Sequence, residues 1–284
     1  MSIIPGALYV VATPIGNLGD FSARAIEVLG QVSRIAAEDT RHSAPLLHRH
    51  GIATPMLSLH EHNERERVAQ LIAELQSGAA IGLISDAGTP LISDPGFHLV
   101  RAARAQGIRV IPIPGACALI AALSAAGLPT DRFVFEGFLP AKSAARRARL
   151  ETLRNETRTL AFYESSHRIV DTLGDMVAVI GAQRPAVLAR ELTKTFETIH
   201  DGRLDELLTF VSNDANQRKG EFVLLVQGAA DIPEDAAETG RVLGILLDEL
   251  PVKQATALAE RITGVKKNEL YTLALSLKEA GEEG

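Results

Sequence analysis

The sequence predicts an α/β chain in two halves, followed by a small helical tail. Over the first 230 residues, short apolar runs alternate with amphipathic stretches in the rhythm of strand, helix, strand. Three of those runs end in loops rich in glycine and proline. Beyond the acidic stretch DIPEDAAET (231–239) only helical periodicity remains. A length of 284 residues suits two domains and an appendage, at roughly 150 residues per domain.

Residues 7–13 (ALYVVAT) read as a strand ending at Pro14-Ile15-Gly16, and 21–29 as the helix after it. A short strand over 34–37 runs into Glu38-Asp39-Thr40-Arg41. Val68, Leu71, Ile72 and Leu75 recur at i, i+3, i+4 and i+7, one face of a helix. Residues 79–85 (AAIGLIS) form a buried strand ending in Asp86-Ala87-Gly88-Thr89-Pro90. The next helix follows Asp94-Pro95-Gly96, with Asp94 as its N-cap and Pro95 as its first residue. A strand over 109–113 ends in Pro114-Gly115, and the small apolar residues after it predict a helix buried on every side. This alternation argues for a parallel-rich sheet with helices on both faces. After a strand over 132–138, residues 139–149 (LPAKSAARRAR) are polar and basic and read as a linker into the second half. That half is expected to hold strands near 159–163, 186–190, 196–200 and 221–227, a helix over 166–179, and another whose face is Leu204, Leu207, Leu208 and Val211. In the tail, Ala255, Leu258, Ala259 and Ile262 form one apolar face and Leu270, Leu273, Ala274 and Leu277 another, separated by Gly264. The expected domains are 1–138, 139–230 and 231–284, the last with helix-turn-helix spacing.

Composition narrows the function. Hydrophobic residues are 46% and charged residues 23%, which excludes a largely disordered or collagen-like chain. The longest apolar run, 116–123, falls well short of the roughly 18 residues of a membrane span. The opening MSIIPGALYV lacks the basic and hydrophobic regions of a secretory signal. A single cysteine, Cys117, allows neither an internal disulfide nor a cysteine-rich zinc site and fits a reducing cytosol, so a cytoplasmic protein is expected. Net charge is −6, aromatics are 4% and tryptophan is absent. Readers of RNA usually show a basic footprint or stacking aromatics, so composition by itself favours an enzyme of small molecules.

In an open α/β sheet, ligands lie beyond the carboxyl ends of the strands. The loops Thr13–Asn17, Asp86–Pro90 and Pro112–Ala116 combine glycines that permit close backbone approach with prolines that stiffen them. None matches G-x-G-x-x-G or G-x-x-x-x-G-K-[ST], which disfavours a dinucleotide or triphosphate cradle. His60-Glu61-His62 invites a metal reading, but no third ligand and no H-E-x-x-H are evident, so no metal is expected.

The segments YVVATPIGNL (9–18), AEDTR (37–41), LISDAGTP (83–90), Pro114-Gly115, FEGFLP (135–140), FYES (162–165) with His167-Arg168, and ARELTK (189–194) together resemble a bacterial branch of the tetrapyrrole-methylase superfamily. The resemblance covers about residues 5–228; the tail matches in general character only. It implies two αβα domains of the class III S-adenosylmethionine methyltransferase type plus a small C-terminal helical domain. It implies 2′-O-methylation of the ribose of a cytidine in the decoding region of 16S rRNA, with S-adenosyl-L-methionine as cofactor, the small ribosomal subunit as the setting of the substrate, and a homodimer. The family's cofactor positions carry over to Pro14, Asp86, Gly88, Thr89, Gly115, Ala116, Cys117, Tyr163, Arg190 and Glu221.

The residues themselves fit such a ligand. S-adenosylmethionine needs acidic acceptors, as Asp86 at a strand end supplies, and room beside small residues such as Ala116 and Ala118. A ribose hydroxyl is a weak acid, so a base helps. Glu191 and Lys194 follow a buried strand and are the first candidates, with Asp39 and His60 as alternatives; catalysis by orientation alone stays open. The segment 137–158 holds six bases and two acids in a chain of net charge −6, so Lys142, Arg146, Arg147 and Arg149, with Arg41, are the expected RNA contacts. The tail holds eleven acids and six bases and is a poor polyanion binder. Two other readings stay open: a methyltransferase of a tetrapyrrole or other small substrate, and a helix-turn-helix DNA-binding protein with an α/β sensing domain.

Overall fold

The computed structural model describes residues 2–60, 62–230 and 234–282. Glu61 and the boundary residues Asp231, Ile232 and Pro233 lie outside them. The chain forms two compact units, Met1–Ala229 and Ala230–Gly284.

The first unit contains two five-stranded sheets. The first sheet is built from β1 (Leu8–Val11), α1 (Ala23–Gln31), β2 (Arg34–Ala37), α2 (Thr40–Arg49), β3 (Met56–Ser58), α3 (Glu64–Gln76), β4 (Ile81–Ile84), α4 (Phe97–Ala105) and β5 (Val110–Ile113). Its order is β3-β2-β4-β1-β5 and every pair is parallel. Strand residues alternate between two cores, as period-2 geometry requires. Tyr9, Val11 and Ile35 pack with Val28, Leu29 and Leu47 of α1 and α2. Leu8, Ala36 and Leu83 pack with Leu71, Leu75, Leu99 and Ala103 of α3 and α4. Each such fully buried leucine or isoleucine is worth about 1.5–3 kcal/mol.

Two sequence expectations change here. The α2–β3 pair was not foreseen; Asp39 caps α2 by accepting a hydrogen bond from the Arg41 amide at 2.8 Å, and Pro45 sits inside the helix. Asp94 does not cap α4. That helix starts at Phe97 after Gly96, whose φ is 121°, and its first amides, of His98 and Leu99, donate to Oε1 of Glu64 at 2.8 and 3.2 Å. Glu64, only 4% exposed at the start of α3, therefore performs the capping from a distance.

The chain crosses to the second sheet through α5 (Ala118–Ala125). Leu119, Ala122 and Leu123 of α5 pack on Ala161, Val187, Val223 and Leu225 of that sheet. Ile120 is 54% exposed, so α5 is buried on one side and not on all. The second sheet comprises β6 (Phe133–Phe138), α6 (Ser143–Leu153), β7 (Thr159–Ser165), α7 (Ile169–Val179), β8 (Pro185–Arg190), β9 (Thr198–Arg203), α8 (Leu204–Asn213) and β10 (Glu221–Val226), in the order β6-β7-β10-β8-β9. Only β6 and β7 run parallel; the other pairs are antiparallel, unlike the all-parallel first sheet, where the parallel-rich expectation is met. β6, expected to close the first domain, is hydrogen-bonded into the second sheet.

The basic stretch expected to be a linker is largely the helix α6. Its Leu150 and Leu153 pack with Leu173 and Met176 of α7, and Arg146 is turned inward onto Asp175 of α7, Nη2 to Oδ2 at 2.7 Å. A buried ion pair on a helix face is invisible to polarity patterning, which assigns every arginine to solvent.

The second unit holds α9 (Glu234–Glu249), α10 (Val252–Thr263) and α11 (Lys267–Glu282) around Leu243, Ala255, Ala259, Leu270 and Ala274. Gly264, with φ 75°, ends α10 in the left-handed conformation. Leu258, Ile262 and Leu277, expected to face the core, are exposed, and Thr256 is buried with its hydroxyl donating to the Val252 carbonyl. Among the described residues no helix is long and apolar enough to cross a membrane.

Candidate functional site

Within the first unit, the loops at the carboxyl ends of β1, β2, β4 and β5 meet the second sheet around a cleft of about 340 Å³. That volume lies in the range of small-molecule sites. Ile15, Glu38, Asp86, Gly88, Thr89, Asp94 and Cys117 line one part; Phe138, Tyr163, Glu164, Lys194 and Glu221 line the other.

The loops lock one another. Thr13 and Gly88 exchange backbone hydrogen bonds at 2.9 and 3.1 Å, and the Thr89 hydroxyl donates to the Ala116 carbonyl at 3.0 Å. Gly88 has φ +85°, and Gly115 leaves no room for a side chain: a Cβ would lie 2.8 Å from Cβ of Ala12. Across the cleft, the Tyr163 hydroxyl accepts the Leu119 amide at 3.2 Å, and its ring is edge-on to Phe135 and Phe138. Burial pushes the Tyr163 phenol well above its usual pKa, so it stays neutral.

One wall is acidic. Asp86 Oδ1 accepts the Asp39 amide at 3.0 Å, while the Asp86 amide donates to Glu38 Oε2 at 3.4 Å. Burial raises the Glu38 pKa, with the Asp86 charge adding to it. Burial, with the charges of Glu38 and Asp86, pushes Asp94 up to about 7, against a lowering hydrogen bond with the Ser85 side chain.

Facing this wall, Lys194 Nζ donates to Glu191 Oε1 at 2.8 Å and to Glu221 Oε2 at 2.7 Å. Burial works against the ammonium, but the two carboxylates outweigh it and raise the Lys194 pKa. Burial likewise works against the Glu191 carboxylate, and the Lys194 ammonium with the Glu221 amide lowers its pKa nevertheless. Lys194 therefore holds its proton and Glu191 cannot readily gain one. Neither suits the role of base for which the sequence put them first.

Four non-glycine residues in the described chain have left-handed backbone, and they fall in two loops beside the cleft. Leu91 (φ 73°) and Ser93 (φ 70°) precede Asp94; Glu191 (φ 50°) and Thr193 (φ 67°) precede Lys194.

The remaining sequence candidates distribute as follows. Asp86, Gly88, Thr89, Cys117, Tyr163 and Glu221 line the cleft, while Pro14, Gly115 and Ala116 sit in the supporting loops. Arg190 does not reach it. It is 6% exposed, and its guanidinium donates to the carbonyls of Lys219, Phe196 and Asn216 at 2.8, 2.8 and 3.0 Å, clamping two loops of its own sheet. Asp39 lies outside the cleft, its carboxyl held at about 2 by hydrogen bonds from Arg41. His60 is also outside, edge-on to the His62 ring. Of the expected RNA contacts, Arg41 is paired with Asp39 but its side chain is 90% exposed. Lys142 is exposed; Arg147 and Arg149 are about half exposed and paired with Asp175 and Glu136. Arg146, 3% exposed, presents no charge to the surface. Glu38 and Asp94 are two cleft carboxylates that sequence reasoning passed over. Both stand in segments already singled out, one just after a strand and the other in a loop assigned to capping.

The family model for tetrapyrrole (corrin/porphyrin) methylases matches residues 7–208, and that for the RsmI C-terminal HTH domain matches 233–278. The chain is 61% identical over 273 residues to a ribosomal RNA small subunit methyltransferase I of Pseudomonas aeruginosa, covering 95% of this chain and 97% of that one. It is 58% identical to its counterpart in Escherichia coli O157:H7, covering 95% of each. Among solved structures it shares its fold with diphthine synthase (TM-score 0.59, 16% identity, 78% of this chain and 90% of that one). It shares it also with uroporphyrin-III C-methyltransferase from Thermus thermophilus complexed with S-adenyl homocysteine (TM-score 0.53, 16% identity, 77% and 96%).

Proposed function

The chain belongs to the tetrapyrrole methylase family, in its branch of small-subunit ribosomal RNA methyltransferases, and from that premise we propose that it methylates a ribose 2′-oxygen of a cytidine in the decoding region of 16S rRNA. The observation that carries this reading is the cleft, an acidic wall on one side and a lysine on the other, in a chain nearly co-extensive with those relatives. S-adenosylmethionine supplies an activated methyl group on a positively charged sulfonium. Its sulfonium and ammonium suit Glu38 and Asp86, and its carboxylate suits Lys194. Gly88 and Gly115 keep the loops close enough to leave room for it.

The chain's own contribution is to orient and to exclude water. Holding a hydroxyl in line with a methyl group supplies several orders of magnitude in rate. The exposed charges of Arg41, Lys142, Arg147 and Arg149 support phosphate contacts, which position the RNA without reading its bases. With few aromatics, recognition rests on the folded shape of the rRNA. The same reading carries a cytoplasmic homodimer acting on the small ribosomal subunit.

Small subunits from cells lacking this gene, incubated with the protein and methyl-labelled S-adenosylmethionine, should gain label on 16S rRNA. The labelled nucleotide should be a cytidine whose 3′ phosphodiester resists alkali, the mark of a blocked 2′-oxygen. Label on a base, or transfer to a porphyrinogen with none to RNA, would overturn the proposal.

A further inference from the structure

We infer that Asp94 is the catalytic base that takes the proton from the attacking ribose hydroxyl, an inference that rests on the methyl-transfer reading above. The bases first sought in the sequence are each disqualified by their surroundings. Asp39 and His60 lie outside the cleft, Lys194 is fixed as an ammonium, and Glu191 is committed to Lys194 and the Glu221 amide. Tyr163 keeps its proton and spends its oxygen on the Leu119 amide.

Asp94 differs on each count. It lines the cleft and is half-buried. It is released from the capping role that its place before α4 would give it, because Glu64 fills that role. Two left-handed residues, Leu91 and Ser93, stand within three positions of it. Such conformations cost about 1–3 kcal/mol each and persist where the surrounding structure enforces them.

Its electrostatic surroundings match the task. Burial raises its proton affinity most; on its own side the charges of Glu38 and Asp86 add to the rise, and a hydrogen bond with Ser85 lowers it. Across the cleft, Tyr163 is neutral, Glu164 is engaged by Thr172 and Arg168, and Lys194 lies between Glu191 and Glu221. Little positive charge is left to hold Asp94 ionised, and its pKa of about 7 is that of a base balanced between capture and release. In the transfer, the hydroxyl oxygen bonds to the methyl carbon, the carbon–sulfur bond breaks with its electron pair left on sulfur, and the hydroxyl proton passes to the Asp94 carboxylate. Bulk water then removes that proton.

The test combines Asp94→Asn, Glu38→Gln and the wild type. In the wild-type protein alone, the ¹³C carboxyl signal of Asp94 should titrate near pH 7, and in Glu38→Gln at lower pH. The acid limb of kcat on small subunits should move the same way. Asp94→Asn should lower kcat by about 10²–10⁴-fold and abolish that limb, while its calorimetric affinity for S-adenosylhomocysteine stays within about twofold. Three results would each overturn the inference: an Asp94→Asn enzyme with wild-type kcat, one whose defect is confined to cofactor affinity, or a limb that ignores Glu38→Gln. A wild type that methylates no RNA fails the underlying reading. A wild type that does so, matched by Asp94→Asn, fails only this inference.

Discussion

Asp175→Asn should destabilise the unit Met1–Ala229 more than any surface substitution. The Arg146 guanidinium is 3% exposed and binds Asp175 Oδ2 through Nε and Nη2, both at 2.7 Å. Removing one partner of a buried pair leaves the other charge uncompensated, which costs about 3–5 kcal/mol. Arg147 and Ser143 also lose the carboxylate, but Arg147 is half exposed and adds only about 0–1 kcal/mol. Against a total stability of about 5–15 kcal/mol the loss is large. With a urea slope of about 2–3 kcal/mol per molar, the midpoint falls by roughly 1–2 M. Urea unfolding followed by far-ultraviolet dichroism reads this directly. Replacing both partners, as Arg146→Met with Asp175→Leu, should recover most of the loss, since an apolar pair of similar volume leaves no stranded charge. A midpoint that moves by less than about 0.3 M in Asp175→Asn would refute the burial argument. The pH dependence has a definite sign. Burial tends to raise the Asp175 pKa, but Arg147, Ser143 and Arg146 outweigh it and lower it. The pair's stabilisation is therefore fully present above the ordinary aspartate range and is lost as pH falls through the lowered native value.

Two further outcomes follow from the cleft and its rim. Gly16 has φ +154°, and a Cβ there would lie 2.4 Å from Cγ of Lys194; Gly16→Ala should dislodge the lysine and weaken S-adenosylhomocysteine binding by roughly tenfold or more, about 1.4 kcal/mol, and unchanged calorimetric affinity would exclude that role for Lys194. Lys142→Glu should weaken RNA binding and flatten its salt dependence by about one phosphate contact without altering cofactor affinity, and an unchanged salt slope would remove Lys142 from the RNA surface.

Much of the fold was legible because local and tertiary signals agree. The strand over 34–37 was read at its observed bounds, and the Val68–Leu75 face lies on α3. Other features depend on partners distant in sequence. The segment 40–49 contains a proline and little periodicity, so α2 went unread. Arg146 is inside only because Asp175, 29 residues on, faces it. The Ala255–Ile262 face is split because the three helices cover only Ala255 and Ala259. In the site, the glycine- and proline-rich loops could be read one by one. What could not be read is which carboxylate they enclose: Asp94 acquires its character first from burial, then from Glu38 on another loop and from Asp86 eight residues before it on its own.

The strand order of the first sheet also sets a timetable for the newborn chain. β1 leaves the ribosome first, yet Leu8 pairs with Ile81 on one side and Val110 on the other. At roughly 5–20 residues per second, the last of these neighbours arrives about 5–20 s after the first strand. A run of four apolar residues waits with both edges open until β4 emerges and with one edge open until β5 does, the condition under which strands join the wrong partner. The strand that carries the loop at Pro14 is thus the one left bare longest, and slower translation between residues 12 and 80 lengthens its exposure.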